Sequence, residues 1–272
     1  MRMRKPESRG TPRPPGLTGF TLVELLVVIS IILLLAMLLM PTIQMIIRQF
    51  YAGRSAMMVR SLHDGALLYE QETKFLPGEK KDTKVPGGTG DPRQAMNNGS
   101  ITGSQVLAAC LFNIEYDELL HRDFSDRNVA EGRIEASKTY ATFKPEYLIN
   151  GAGKLNSISD GFPKGKAKPV CYFLASNKTE YVDKVSQFRI ADNAAYMEDL
   201  QGSDDEKQEL FEDWVTRRAK TSNVVFNNGR FILLAPGLNR KYIVDDVEDP
   251  DAPGQIIQDD ITNDYGKRRS GS

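Results

Sequence analysis

Residues Phe20–Met40 read FTLVELLVVISIILLLAMLLM, 21 positions that carry one charge, Glu24. At about 1.5 Å per residue, a helix of that length spans about 31 Å, the thickness of a bilayer's hydrocarbon core. Ahead of it stand Arg2, Arg4, Lys5, Arg9 and Arg13 against one acid, Glu7. Basic residues stay on the cytoplasmic side, so the remainder of the chain is expected outside. The run is too long for the apolar part of a secretory signal, and Met40-Pro41-Thr42 is not a small-x-small cleavage site. Glu24 is the anomaly. A carboxylate five residues into an apolar helix is costly unless it reaches headgroups or water, or has a partner.

The helical period continues past the apolar run. Ile43, Ile46, Ile47, Phe50, Met57, Met58, Leu62, Ala66 and Tyr69 recur at steps near three and four, with Arg48, Arg54, Arg60 and Glu70 between them. The pattern predicts one helix from Phe20 to Phe75, with an amphipathic second half that needs a globular head to cover it. Pro41 lies inside and is expected to kink or loosen it. Leu76-Pro77-Gly78 ends it.

Beyond that point the composition is that of an ordinary globular domain. The whole chain has 272 residues, 40% hydrophobic and 26% charged, with a net charge of −1 that gives nucleic acid no electrostatic footing. Two cysteines and two histidines exclude a disulfide scaffold and a classical zinc module. Lys80–Ser104, rich in Gly, Pro, Lys, Asp and Asn, predicts an exposed loop. Gln105–Leu120 predicts a short helix and Pro169–Ala175 a buried strand. Asp204–Lys220 predicts a helix with Leu210, Phe211, Trp214 and Val215 inward. Val224–Phe226, the Asn227-Asn228-Gly229 turn and Phe231–Leu234 predict a hairpin. The fold expected is α+β, a long N-terminal helix packed on a small antiparallel-sheet head.

Gly19-Phe20-Thr21-Leu22-Val23-Glu24-Leu25-Leu26-Val27-Val28-Ile29 resembles the type IV prepilin signature shared by type IV pilins and type II secretion pseudopilins. The match includes Gly19 at the cleavage point, Phe20 as first mature residue, Glu24 at the fifth mature position and Pro41 at the twenty-second. It covers residues 16–45. The resemblance implies that a prepilin peptidase cuts between Gly19 and Phe20 and methylates the new Phe20 amine. It further implies that the apolar helix drives assembly into a filament. The domains would be a leader at 1–19, a transmembrane and assembly helix at 20–40, its amphipathic continuation at 41–76 and a periplasmic head at 77–272. The leader is longer than the shortest in the family. In a packed filament, the Glu24 carboxylate would neutralise the Phe20 ammonium of a neighbouring copy. Leaving one partner of a buried pair alone costs about 3–5 kcal/mol, so the pair would fix the axial register.

Asp245–Asp264 holds eight acids and no Lys or Arg. A solvated acidic loop accounts for that composition, and so does a site for a hard cation, which takes six to eight oxygens. The EF-hand pattern is absent. Phe231–Asn239 followed by Asp259-Asp260-Ile261-Thr262-Asn263 is similar to the C-terminal loop of major pseudopilins, which wraps calcium. Carried over, the ligands would be a carbonyl near Leu234, the Asn239 side chain, the Asp260 carboxylate, the Ile261 carbonyl and the Asn263 side chain. Ala235 and Asn239 replace the family's usual Ser and Asp, and the spacer is longer.

His63 and His121 are isolated, with no Ser or Cys arrangement suggesting nucleophilic catalysis. Val85–Gly90 is Gly-rich but lacks the Gly-Lys-Ser/Thr ending of a phosphate loop. Cys110 and Cys171 could pair in an oxidising space, or remain buried thiols in their apolar runs. The reading is a structural subunit rather than an enzyme. Its partners would be prepilin peptidase, other copies and pseudopilins, an inner-membrane assembly platform and membrane lipid. A single-pass anchored periplasmic enzyme or receptor is the alternative, and would need a pocket of converging polar groups.

Overall fold

The structure is a computed structural model that describes residues 21–82, 84–85, 90–122, 124, 139–141, 147–151, 153–163, 165–175, 188–198, 200–222, 230–237, 240–243, 247–248, 256–257 and 261–262. It divides into two units, one ending at Ile47 and the other starting at Arg48. Helix α1, Leu22–Thr73, is 52 residues long and helical on both sides of Pro41. Every residue from Leu22 to Phe50 is exposed. Further on, Ser55, Met58, Val59, Leu62, Gly65 and Ala66 form a buried stripe at the three-and-four spacing of one helix face. Lys74, with φ of 67°, takes the left-handed conformation that ends the helix. The amino-acid pattern therefore sets both the length of α1 and the point at which it acquires a covered face.

The second unit is built on a three-stranded sheet. Strand β3 (Cys171–Leu174) pairs antiparallel with β4 (Phe231–Ala235), which pairs antiparallel with β7 (Ile261–Thr262). Both β3 and β4 are buried throughout, because the sheet is covered on both sides. Alternation along the strands divides the core. Tyr172, Leu174, Phe231 and Leu233 pack with Val59, Leu62 and Ala66 of α1 and with α3 (Gly103–Phe112). Cys171, Phe173, Ile232 and Leu234 pack on the other side with Phe211, Trp214 and Val215 of α5 (Asp204–Ser222) and with the 3-10 segment Ile190–Tyr196. Smaller pairs are β1 (Leu148–Gly151) with β2 (Lys154–Ile158) and β5 (Val247–Glu248) with β6 (Ile256–Ile257). The layout is α+β.

Several expectations need correction. The Lys80–Ser104 segment is not simply an exposed loop. It contains α2 (Pro92–Asn97), capped by the Asp91 side chain, and buries Val85, Ala95, Met96 and Ile101. The expected Gln105–Leu120 helix is two helices. Asn113, at φ 53°, breaks it into α3 and α4 (Tyr116–His121). Leu210 is 46% exposed and points away from the core that holds its neighbours. Strand β4 takes β3 and β7 as partners, and Val224–Gly229 of the expected hairpin lie outside the described residues. Gly103 has a steric reason to be glycine. A Cβ there would lie 1.8 Å from the Tyr172 carbonyl oxygen, so α3 starts directly against the backbone of β3.

Candidate functional site

The first candidate site is the start of α1. Gly19 and Phe20 lie outside the described residues. Glu24 is described, and is exposed in the first turn. Its Oε2 accepts from the Thr21 N–H at 2.9 Å and from the Thr21 hydroxyl at 2.8 Å, while the Glu24 N–H donates to Thr21 Oγ1 at 3.2 Å. That reciprocal arrangement is a capping box. It satisfies helix-terminal donors that would otherwise be orphaned. Glu24 thus has a partner within its own helix, a role missed in the sequence although Thr-x-x-Glu is legible there. Both bonds that its carboxylate accepts from Thr21 go to Oε2, so capping uses one of its two oxygens. Around it Leu22, Val23, Leu25 and Leu26 are at least half exposed, and none of α1 before Ser55 is buried. Pro41 lies on this uncovered half. The helix is long and apolar enough to cross a membrane.

The second candidate is the C-terminal loop. The β4–β7 ladder places Leu234 opposite Thr262 and Ala235 opposite Ile261, which brings together two segments widely separated in the chain. Of the implied calcium ligands, Leu234 and the Ile261 backbone are therefore adjacent, while Asn239, Asp260 and Asn263 lie outside the described residues. Thr262 Oγ1 is buried with no hydrogen-bond partner among the described residues. Among the described residues no three His, Cys, Asp or Glu side chains converge as a metal site.

Polar groups buried in the head escaped the sequence reading. Asp160 is fully buried and pairs with Arg240 at 2.6 Å, while its Oδ1 accepts from the N–H groups of Phe162 and Lys168. Burial pushes its carboxyl up, and the Arg240 guanidinium opposes that shift. Asp192 is 4% exposed, and burial pushes it up to about 7 against an N–H bond from Leu174 and the nearby charges of Arg189 and Arg93. Tyr196 Oη bonds Thr102 Oγ1 at 2.8 Å and Ser157 Oγ, and the Asn193 amide donates to the Tyr172 carbonyl at 2.7 Å. These bonds tie α3, β2 and β3 to the 3-10 segment. Bonds between elements distant in the chain make this network a structural knot.

Cys110 and Cys171 are both free thiols, and the pairing entertained from sequence is not formed. Strand alternation explains why. Cys171 points with Phe173 into the α5 side of the sheet, whereas Cys110 sits in α3 on the α1 side. His63 Nδ1 lies 3.2 Å from Asp64 Oδ1 and its ring packs on Phe231; His121 Nδ1 lies 3.0 Å from the Asp117 carbonyl. No family model, curated protein or solved structure matches this chain.

Proposed function

We propose that the chain is a structural subunit of a type II secretion pseudopilus or a type IV pilus-like filament. Prepilin peptidase cuts it after Gly19 and methylates Phe20, and the subunits polymerise through α1. The observation that carries the reading is the Gly19–Glu24 sequence at the head of an apolar helix. Support comes from the uncovered first half of α1, which needs lipid or other helices around it in water-free surroundings. Before assembly the subunit spans the bacterial inner membrane once, with its N-terminus in the cytoplasm and its head in the periplasm. It is drawn into a periplasmic filament by an inner-membrane platform. Calcium held by Leu234, Asn239, Asp260, Ile261 and Asn263 orders the C-terminal loop. The role is structural and not catalytic.

Glu24→Leu separates insertion from assembly. Removing the carboxylate lowers the cost of burying the helix in lipid, so the variant inserts at least as well as the parent. Filament yield is expected to fall at least tenfold, because the Phe20 amine loses its partner. A normal yield of filaments from Glu24→Leu overturns the pairing on which the assembly mechanism depends.

A further inference from the structure

After Glu24 the chain carries no charge until Arg48. The region where charge returns is unusual in sign and in company. Residues 48–60 hold Arg48, Arg54 and Arg60 and no acid, and the distant segment 161–168 holds Lys164, Lys166 and Lys168 and no acid. The fold places Tyr51 and Arg54 beside Gly161 and Phe162. The Tyr51 ring lies 5.4 Å from the Phe162 ring, with Phe50 5.6 Å further along and 66% exposed. The Arg54 side chain passes beside Gly161, within 3.3 Å of where a Cβ would be. Arg240 completes the cluster. Its guanidinium carbon sits 3.7 Å above the Phe162 ring and one of its nitrogens donates to the Lys166 carbonyl. Asp160, an acid at this cluster, is fully buried and already engaged by Arg240. Arg48 and Lys166 are exposed.

We propose that Arg48, Tyr51, Arg54, Phe162, Lys166 and Arg240 form a basic and aromatic collar that binds the headgroups of anionic phospholipid. The chemistry is that of an interfacial anchor. Aromatic rings with one polar end favour the headgroup level, and guanidinium and ammonium groups pair with phosphate. Juxtamembrane cations strengthen attachment to an anionic surface, roughly fivefold for each one. The position is also suited to it, because the collar begins at the first charge after the apolar run. The inference rests on the reading above only in placing that apolar run in a bilayer. Its consequence is that the head is held at the surface of an anionic membrane, and that leaving the membrane means breaking these contacts.

The test uses the full chain in lipid nanodiscs of phosphatidylcholine alone and of phosphatidylcholine with about one-third phosphatidylglycerol. Amide hydrogen exchange is followed in residues 48–54 and 161–168. Exchange there is expected to be severalfold slower in the anionic discs, and the difference should shrink at about 0.5 M salt, where screening is strong. The double variant Arg48→Glu with Lys166→Glu should abolish the difference. Both side chains are exposed, and unchanged exchange in Cys171–Leu174 verifies that its head is folded. Equal exchange in the two lipids, with the chain inserted in both, overturns the collar and leaves the filament reading standing. Failure to insert into either disc overturns the anchor and the collar together.

Discussion

The two halves of α1 are one continuous helix in two environments. Leu22 to Phe50 has no buried residue, although it is the most apolar stretch of the chain. Met58, Val59, Leu62 and Ala66 are at most 8% exposed, although this half also carries Arg54 and Arg60. Burial along the helix thus follows pattern and not hydrophobicity. A stripe at helical spacing fits one sheet face, whereas a helix apolar all round has no preferred side and calls for lipid or a bundle of like helices.

Truncations along α1 break this comparison most sharply. Leu62→Ala removes buried methyl groups beside the sheet and is expected to destabilise the head by about 2–5 kcal/mol. Leu33→Ala, on the uncovered half, should leave the head within about 0.5 kcal/mol of the parent. Thermal melts of the two variants in the same detergent check both figures. A comparable loss from Leu33→Ala contradicts the division.

A second contrast is between the closed core and the C-terminal loop. Calcium at a hundredfold excess over its Kd should stabilise the head by about 2.7 kcal/mol, which raises Tm by roughly 5–10 °C. Asp260→Ala should remove that rise. Melts that coincide with calcium and with chelator mean that the loop is a solvated acidic surface.

Asp192 sharpens the account of the core. Its carboxyl is pushed up to about 7 in the folded chain, above its unfolded value near 4. The folded state therefore holds the proton more tightly, and this contribution is fully present below about pH 4 and lost as pH rises towards 7. The slope is at most about 1.4 kcal/mol per pH unit. Asp192→Asn should flatten the stability profile between pH 4 and 7 and raise Tm at pH 8. An unchanged profile shows that Asp192 is ionised in the folded head.

Most of the helices and the central strands were legible because their signals are local. The length of α1, the apolar runs of β3 and β4 and the inward Phe211, Trp214 and Val215 follow from short-range pattern. Some local signals were legible and missed. Asp91-Pro92 marks the start of α2, and Thr21, Thr102 and Ser203 each precede an acid or Gln by three positions in a capping box. What the sequence does not hold is long-range pairing. Nothing near Asp160 indicates that Arg240 neutralises it, and only the register of β3 reveals that Cys171 faces away from Cys110. The candidate site divides in the same way. Glu24 and Pro41 were singled out by motif alone, and Leu234 and Ile261 were grouped by resemblance, whereas the antiparallel register that sets Leu234 opposite Thr262 required the fold.

The account depends most directly on how the chain begins in the cell. A mass spectrum of the N-terminal peptide, from cells with active prepilin peptidase, measures it. The predicted result is a chain starting at Phe20 with one added methyl group on its amine. A chain that retains Met1–Gly19, or that starts elsewhere, contradicts the assignment of α1 as a processed assembly helix.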